Sequence, residues 1–277
     1  MTSIFSLPAL PEVSSGDFER ARTMLQRRAG ILLGQHKRDM AERTLALRAR
    51  TLRMDRVSGY LAYLEENAGA PEWQEFINAF TVNHTAFFRE RHHFEALARF
   101  VKTRSRPLAI WSAACSTGEE PYSIAMTLRD TLANPDHQVS ILATDIDTQA
   151  IATAKAGMYT LERIAPVSEA QRKRYFLRGT GSRAGMVRVK PGLRGMIEFD
   201  VLNLLDTTWS VDQRFDVIFC RNTLIYFDKP TQTRLLERFA RVMKKGGLLF
   251  VGHSENLTYL TDHFSLIGQT VYEVKHK

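Results

Sequence analysis

Apolar residues recur at helical spacing along the first part of the chain, and near residue 106 they give way to short uninterrupted apolar runs separated by helical stretches. In the first part the spacing predicts helices over 17–29, closed by Gly30, and over 37–54. Two more follow, over 58–67 with Ser58 as the N-cap and over 71–80 with Pro71 in the first turn. Beyond residue 106 the apolar runs predict strands over 108–111, 139–144, 196–199, 215–220 and 248–251, with a terminal pair near 264–267 and 271–274. Helices are expected between them, among others over 121–132 and over 230–245, the latter with Asp228 before it and Gly246 after it. Strands alternating with helices imply an α/β, doubly wound parallel sheet, whose ligands bind at the carboxyl ends of the strands. The Gly-rich stretch 175–194 is too long for a plain connection, and its alternation over 186–190 reads as a small β insertion. The organisation expected is therefore an all-α N-terminal domain over 15–90, a linker helix over 91–106 and an α/β domain over 107–277.

Charge adds a second layer to this picture. The net formal charge of the 277 residues is +8, and it is clumped: eleven basic residues stand against three acidic ones between Arg20 and Arg56, and nine against one between Arg163 and Arg194. Within the first clump Arg43, Arg50 and Arg53 share a helical face and form a basic stripe suited to an acidic helix. Two basic surfaces point to an acidic macromolecule, either nucleic acid or an acidic protein face. Two cysteines, Cys115 and Cys220, are too few for a disulfide framework or a four-cysteine metal site. No apolar run reaches the roughly 20 residues of a membrane span, and 1–13 lacks a basic n-region, so a cytoplasmic location without membrane insertion is expected.

The candidate chemistry sits where the first two strands end. The first runs into Ala113-Ala114-Cys115-Ser116-Thr117-Gly118-Glu119-Glu120-Pro121, a small-residue turn that lets a ligand approach the backbone. It holds one glycine where a dinucleotide fingerprint needs three, and its two glutamates repel phosphate, which disfavours a nicotinamide dehydrogenase. The second ends in Ala143-Thr144-Asp145-Ile146-Asp147, with Asp145 placed to accept hydrogen bonds from ribose hydroxyls. A nucleoside that carries positive charge and no phosphate is the ligand these features suit, and S-adenosylmethionine is such a molecule.

These residues resemble a known family, the chemotaxis receptor methyltransferases or CheR family. The likeness rests on Asn83-His84-Thr85-Ala86-Phe87-Phe88-Arg89-Glu90, Ser116-Thr117-Gly118-Glu119-Glu120-Pro121-Tyr122-Ser123, Phe219-Cys220-Arg221-Asn222-Thr223-Leu224-Ile225-Tyr226-Phe227 and Gly252-His253-Ser254-Glu255-Asn256, in that order across nearly the whole chain. The resemblance implies a Rossmann-like class I S-adenosylmethionine-dependent methyltransferase domain with a small β subdomain, preceded by an all-α domain. It also implies methyl transfer to glutamate side chains on the cytoplasmic helices of chemoreceptors, with S-adenosylhomocysteine as the product and no metal. Carried over by position, Asn83, Thr85 and Arg89 resemble the segment that closes over the methionine end of the cofactor. Glu120 and Asp145 resemble the groups holding its amino and ribose portions, Asn203 and Leu204 its adenine-side contacts, and Cys220 and Arg221 lie in the matching loop. Tyr226 resembles the aromatic residue near the methyl group, which with Arg89 makes the candidate catalytic pair. The string 178–189 is similar to the subgroup that docks a receptor's C-terminal tail peptide.

The implied chemistry needs few groups. A glutamate carboxylate, with a pKa of roughly 4.3, is ionised at neutral pH and needs no general base. A nucleic-acid methyltransferase, or a catalytically inactive cofactor-sensing binding module, would share the cofactor half. The chain has no Asn/Asp-Pro-Pro-aromatic string of the kind used on extruded bases, and it keeps Arg89, Glu120, Asp145 and Tyr226.

Overall fold

The computed structural model describes residues 10–104, 107–133 and 138–275; the end of the 91–106 linker and the first nine positions of the 1–13 stretch lie outside them. The chain divides into two compact units, the first ending at Thr81 and the second beginning at Val82.

The first unit holds four helices. Helix α1 (Ser15–Ala29) opens on a capping box in which Ser14 and Asp17 satisfy each other's backbone N–H groups, and it closes on Gly30 at φ 71°, a left-handed position that suits glycine. Helix α2 (Arg38–Thr51) turns Ala41, Leu45 and Ala49 inward, and these small side chains let it lie close to α1 and α3 (Val57–Glu66). Helix α4 (Glu72–Asn78) adds Phe76, which meets Tyr60 and Phe80 edge-on at 6.2 and 5.3 Å. Glu72 accepts two bonds from Arg48, at 2.8 and 2.5 Å, and one from the Tyr60 hydroxyl at 2.8 Å, joining α2, α3 and α4 in one charged knot. Several sequence expectations shift here. The second helix stops at Thr51 rather than 54, and Arg53 lies beyond it at φ 57°, so the basic stripe of α2 consists of the exposed Arg43 and Arg50. Arg56, not Ser58, is the N-cap position of α3, and Pro71 precedes α4 instead of lying inside it.

The second unit is built on a seven-stranded sheet. In chain order its elements are α5 (His92–Lys102), β1 (Leu108–Ser112), α6 (Glu119–Thr131), β2 (Val139–Asp145), α7 (Thr148–Ala156), β3 (Met158–Thr160), α8 (Glu169–Tyr175), β4 (Phe176–Arg178), β5 (Met186–Val189), α9 (Pro191–Arg194), β6 (Ile197–Val201), β7 (Phe215–Phe219), α10 (Lys229–Val242), β8 (Met243–Phe250), β9 (Phe264–Gly268) and β10 (Val271–Val274). The sheet order is β6-β2-β1-β7-β8-β10-β9, with β6 to β8 parallel and β10 antiparallel to both neighbours. Each face carries its own apolar layer. Leu108 and Ile110 of β1 join α5 and α6 on one side, while Ala109 and Trp111 join Leu235, Leu236 and Phe239 of α10 on the other. This is the Rossmann-like class I arrangement, and β1 is its switch strand: β2 and β6 extend the sheet to one side, β7 and β8 to the other.

Three boundaries differ from the sequence reading. Phe87 and Phe88 pack in the same apolar layer as Phe94 and Leu97 of α5, so 82–90 belongs to the second unit and not to the helical domain. Helix α10 ends at Val242, and the strand after it starts five residues early, passing through Gly246 at φ 68°. The β insertion is a three-stranded antiparallel sheet, β3-β5-β4, whose strand β3 precedes the 175–194 segment. Three apolar and polar residues at Met158–Thr160 are too short a run for alternation to register.

The Glu72 knot generates a first prediction. Glu72→Gln should lower the stability of the N-terminal unit by about 2 kcal/mol, since it weakens charge-assisted bonds to a largely buried arginine. Chemical denaturation followed by circular dichroism checks this; an unchanged midpoint would show that the knot contributes nothing net.

Candidate active site

The carboxyl ends of β1, β2 and β7 converge where the strand order reverses. Beyond β1 the chain turns through Ser116 at φ 48° and Gly118 at φ 99° into α6. A Cβ on Gly118 would stand 2.8 Å from the Tyr159 hydroxyl and 2.9 Å from the Ala154 methyl, so both backbone conformation and space demand glycine here. Tyr159 of β3 donates to Thr117 O at 2.7 Å, tying the small sheet to this turn.

Asp145, at the end of β2, accepts from Ser116 N at 2.8 Å on one carboxylate oxygen and from Asp147 N at 3.0 Å on the other. Burial raises its carboxyl above the ordinary range, and those backbone donors offset the shift. A carboxylate offers about four lone-pair directions, so acceptors remain for a ribose diol. Asn83 bridges the same region, donating to Asp147 at 2.7 Å and accepting from Ser116 Oγ at 2.9 Å. Asp147 in turn caps α7 through Gln149 N and Ala150 N.

Glu120 lies in the first turn of α6, buried, with one oxygen accepting from Ser112 Oγ at 2.7 Å and the other from Arg221 at 3.0 Å. Burial pushes it up, and Arg221 and Ser112 pull it back in part. Arg221, following β7 and Cys220, is also buried: its second terminal nitrogen reaches Arg89 O and lies 3.3 Å from Glu90 Oε2, and its guanidinium faces the Phe94 ring at 5.7 Å. Glu90 takes two further contacts from His253, at 3.1 and 3.3 Å, and despite the cost of its burial these and Arg221 lower it to about 2. Arg221 is thus a connector between Glu120 and the 83–90 segment. Glu90, His92 and His93 bring possible ligand atoms within 4.8 Å of one another, but the positive charge a metal would supply is already provided by Arg221.

The remaining candidates fall into two groups. Asn83, Thr85 and Arg89 lie on the segment leading to α5; Arg89 is half-buried and donates to His84 O at 2.9 Å. Tyr226 ends a short 3-10 turn in the loop after β7 and is half-buried. Asn203, after β6, accepts from Leu205 N at 2.9 Å. Leu204 buries its side chain in the same apolar layer as Trp111 and its carbonyl accepts from Arg238 at 2.9 Å and Trp209 Nε1 at 3.2 Å, and Cys220 is fully buried, its thiol pushed up by burial. Arg43, Arg50 and Arg53 belong to the N-terminal unit and stand exposed there.

The sequence reading passed over several residues. Glu119 is fully buried and paired with Arg163 at 2.6 Å, so both turn glutamates, this one and Glu120 with Arg221, have an arginine partner. Glu90 and Glu255 stand inside the matching strings, yet Arg221 comes to the one and Asn222 and Thr223 to the other from segments more than thirty residues away, which spacing does not reveal.

The cradle, taken together, offers carboxylates and backbone to a ligand. That donor set fits an adenosine bearing a sulfonium and an ammonium group. The comparisons agree. The family described as CheR methyltransferase, SAM binding domain, matches residues 83–273, and the CheR methyltransferase all-alpha domain matches 16–81. The chemotaxis protein methyltransferase of Salmonella typhimurium is 49% identical over 260 residues, covering 94% of this chain and 90% of that protein. That of Escherichia coli is 48% identical with 94% and 91% covered, and chemotaxis protein methyltransferase 2 of Pseudomonas aeruginosa is 49% identical with 92% of each covered.

Asp145→Ala should weaken S-adenosylhomocysteine binding by about 1–3 kcal/mol through lost ribose bonds. Because burial raises the Asp145 and Glu120 carboxyls, wild-type affinity should fall as pH drops, beginning above the ordinary carboxylate range. Calorimetry across pH tests both, and undiminished affinity in the variant would remove Asp145 from the site.

Proposed function

The chain belongs to the CheR family of S-adenosylmethionine-binding chemotaxis methyltransferases, and from that premise we propose that it esterifies glutamate side chains on the cytoplasmic helices of chemoreceptors. When bound, S-adenosylmethionine supplies an electrophilic methyl carbon on a sulfonium. The acceptor carboxylate is ionised at neutral pH, at a pKa of about 4.3, so the protein has no proton to remove. Its residues have to aim that carboxylate and exclude water. In this reading Arg89, held through one nitrogen by His84 O, turns the rest of its guanidinium to the carboxylate groups of cofactor and substrate. Tyr226 contributes a hydroxyl from the loop after β7. A site that bound either ion too strongly would oppose the reaction, because charge is lost as the bond forms. Arg163 and Arg221 are paired with Glu119 and Glu120, so neither guanidinium is left to hold the acceptor carboxylate too tightly.

Receptor recognition in this reading uses basic residues outside the cradle. On α2, Arg43 and Arg50 share an exposed face with Met40 and Leu47, a mixed basic and apolar stripe that suits an acidic amphipathic helix, and Arg53 adds charge just past its end. Strand β4 is an edge of the small sheet, flanked by Arg178 and Arg188, and supports docking of an extended receptor tail by strand addition. Such a partner places the protein in the cytoplasm, and among the described residues no helix is long and apolar enough to cross a membrane. The observation that carries the proposal is the carboxylate-lined cradle at the ends of β1 and β2 in a chain so close to chemotaxis methyltransferases.

Methyl-labelled S-adenosylmethionine incubated with chemoreceptor cytoplasmic fragments, with and without their tails, should yield base-labile methyl esters. Arg89→Ala and Tyr226→Phe should each cut turnover at least about tenfold while circular dichroism stays unchanged. Wild-type rates in both would refute their roles. Reversing Arg43, Arg50 and Arg53 to glutamate should weaken receptor methylation and leave S-adenosylhomocysteine affinity unaltered. Salt-resistant, sequence-selective nucleic-acid binding with receptor methylation intact in that triple variant would overturn the partner assignment.

A further inference from the structure

The loop after β7 has to present Tyr226 from a short, largely buried turn, and buried backbone groups need partners. Its N–H groups converge on one carboxylate. Glu255, only 5% exposed, accepts from Asn222 N at 2.9 Å, Thr223 N at 2.8 Å and Ile225 N at 3.3 Å, and from Gly252 N at 2.6 Å on its own loop. Its carbonyls meet one amide. Gln232 of α10, 8% exposed, donates from Nε2 to Leu224 O at 2.8 Å and to Phe227 O at 2.9 Å. We propose that Glu255 and Gln232 act together as positioning residues for methyl transfer, clamping residues 222–227 so that Tyr226 is held in register with the reacting atoms. This rests on the catalytic reading of Tyr226.

The side-chain types fit the task. A carboxylate has about four lone-pair directions and no donor, which matches four converging N–H groups; a primary amide has two donors for two carbonyls. The surroundings reinforce the fit. Asn222 takes φ 56° to turn the chain toward Glu255, and the close approach leaves Gly252 no room for a side chain, since a Cβ there would lie 2.2 Å from the Asn222 amide nitrogen. The start of the loop is fastened separately, because Arg221 has its own bonds to Glu120 and to the 83–90 segment. The clamp therefore governs the Tyr226 end and leaves the cofactor-facing end in place.

The test uses the full-length protein with labelled S-adenosylmethionine and a receptor cytoplasmic fragment. Glu255→Gln and Gln232→Met keep side-chain size and remove the matching acceptor or donors. Each should lower kcat by about 10- to 100-fold, the scale expected of a misplacement near 1 Å. KM for the cofactor and calorimetric affinity for S-adenosylhomocysteine should stay within about threefold, and Glu255→Asp should recover part of the rate. In a double-mutant cycle, Glu255→Gln combined with Tyr226→Phe should be no slower than the slower single variant, because both act through the same hydroxyl. Should Glu255→Gln fail to fold by circular dichroism, Gln232→Met makes the same measurement from the opposite side of the loop. Multiplicative losses in the cycle, or unchanged kcat in a folded clamp variant while Tyr226→Phe is impaired, would overturn the clamp alone. Unimpaired Tyr226→Phe would remove the catalytic reading and the clamp with it.

Discussion

A guanidinium with 3% of its side chain exposed is tolerated only when its charge and donors are met, and in this protein that condition organises the site. Arg221 lies between Glu120 and Glu90 and reaches the carbonyl of Arg89. Three segments distant in sequence are thereby drawn to one point: the turn into α6, the strip before α5 and the loop after β7. Removing either glutamate would leave a buried charge short of its partner, a penalty larger than the net worth of the pair. Glu90 adopts φ 57° at this junction, a left-handed conformation uncommon for a side chain of its type and held by the partners around it.

The charges sort by depth. Glu119, Glu120 and Glu90 are cross-linked to arginines within the second unit, whereas much of the positive excess is on exposed side chains such as Arg43, Arg50, Arg178 and Arg188. Part of the second basic clump is structural instead: Arg163, Arg174 and Lys173 pair with Glu119, Asp130 and Glu169, and Arg172 and Arg194 bind backbone carbonyls.

Periodicity carried most of the α/β order, because strands buried on both faces, such as β1 and β7, are apolar apart from Ser112 and the Lys244-paired Asp216 and stand out from their neighbours. It failed where local propensity and tertiary context disagree. Helix α10 continues in pattern to 245, yet Met243 is taken by the sheet beside Phe215 and the helix stops. Arg53 keeps helical spacing but falls on a left-handed residue after the last turn. The positions of Asp145 and Glu120 were legible because the one ends β2 and the other stands in the first turn of the helix after β1. The partners of Glu90 and Glu255 were not, since Arg221 and Asn222 are brought to them by the sheet topology, and Gln232 meets its two nearby carbonyls only because the loop before α10 folds back on the helix.

The pairing of β1 with β7 also sets a timetable. Ile110 has its place beside Val217, about a hundred residues later, so the switch strand β1 leaves the ribosome with one edge bare. At synthesis rates of roughly 5–20 residues per second, that edge waits some 5–20 s for its partner. The helices before Thr81 make mainly local contacts and have no such delay. During biogenesis the methyl-transferring half is the vulnerable one, and its exposed strand is the surface a chaperone would have to guard.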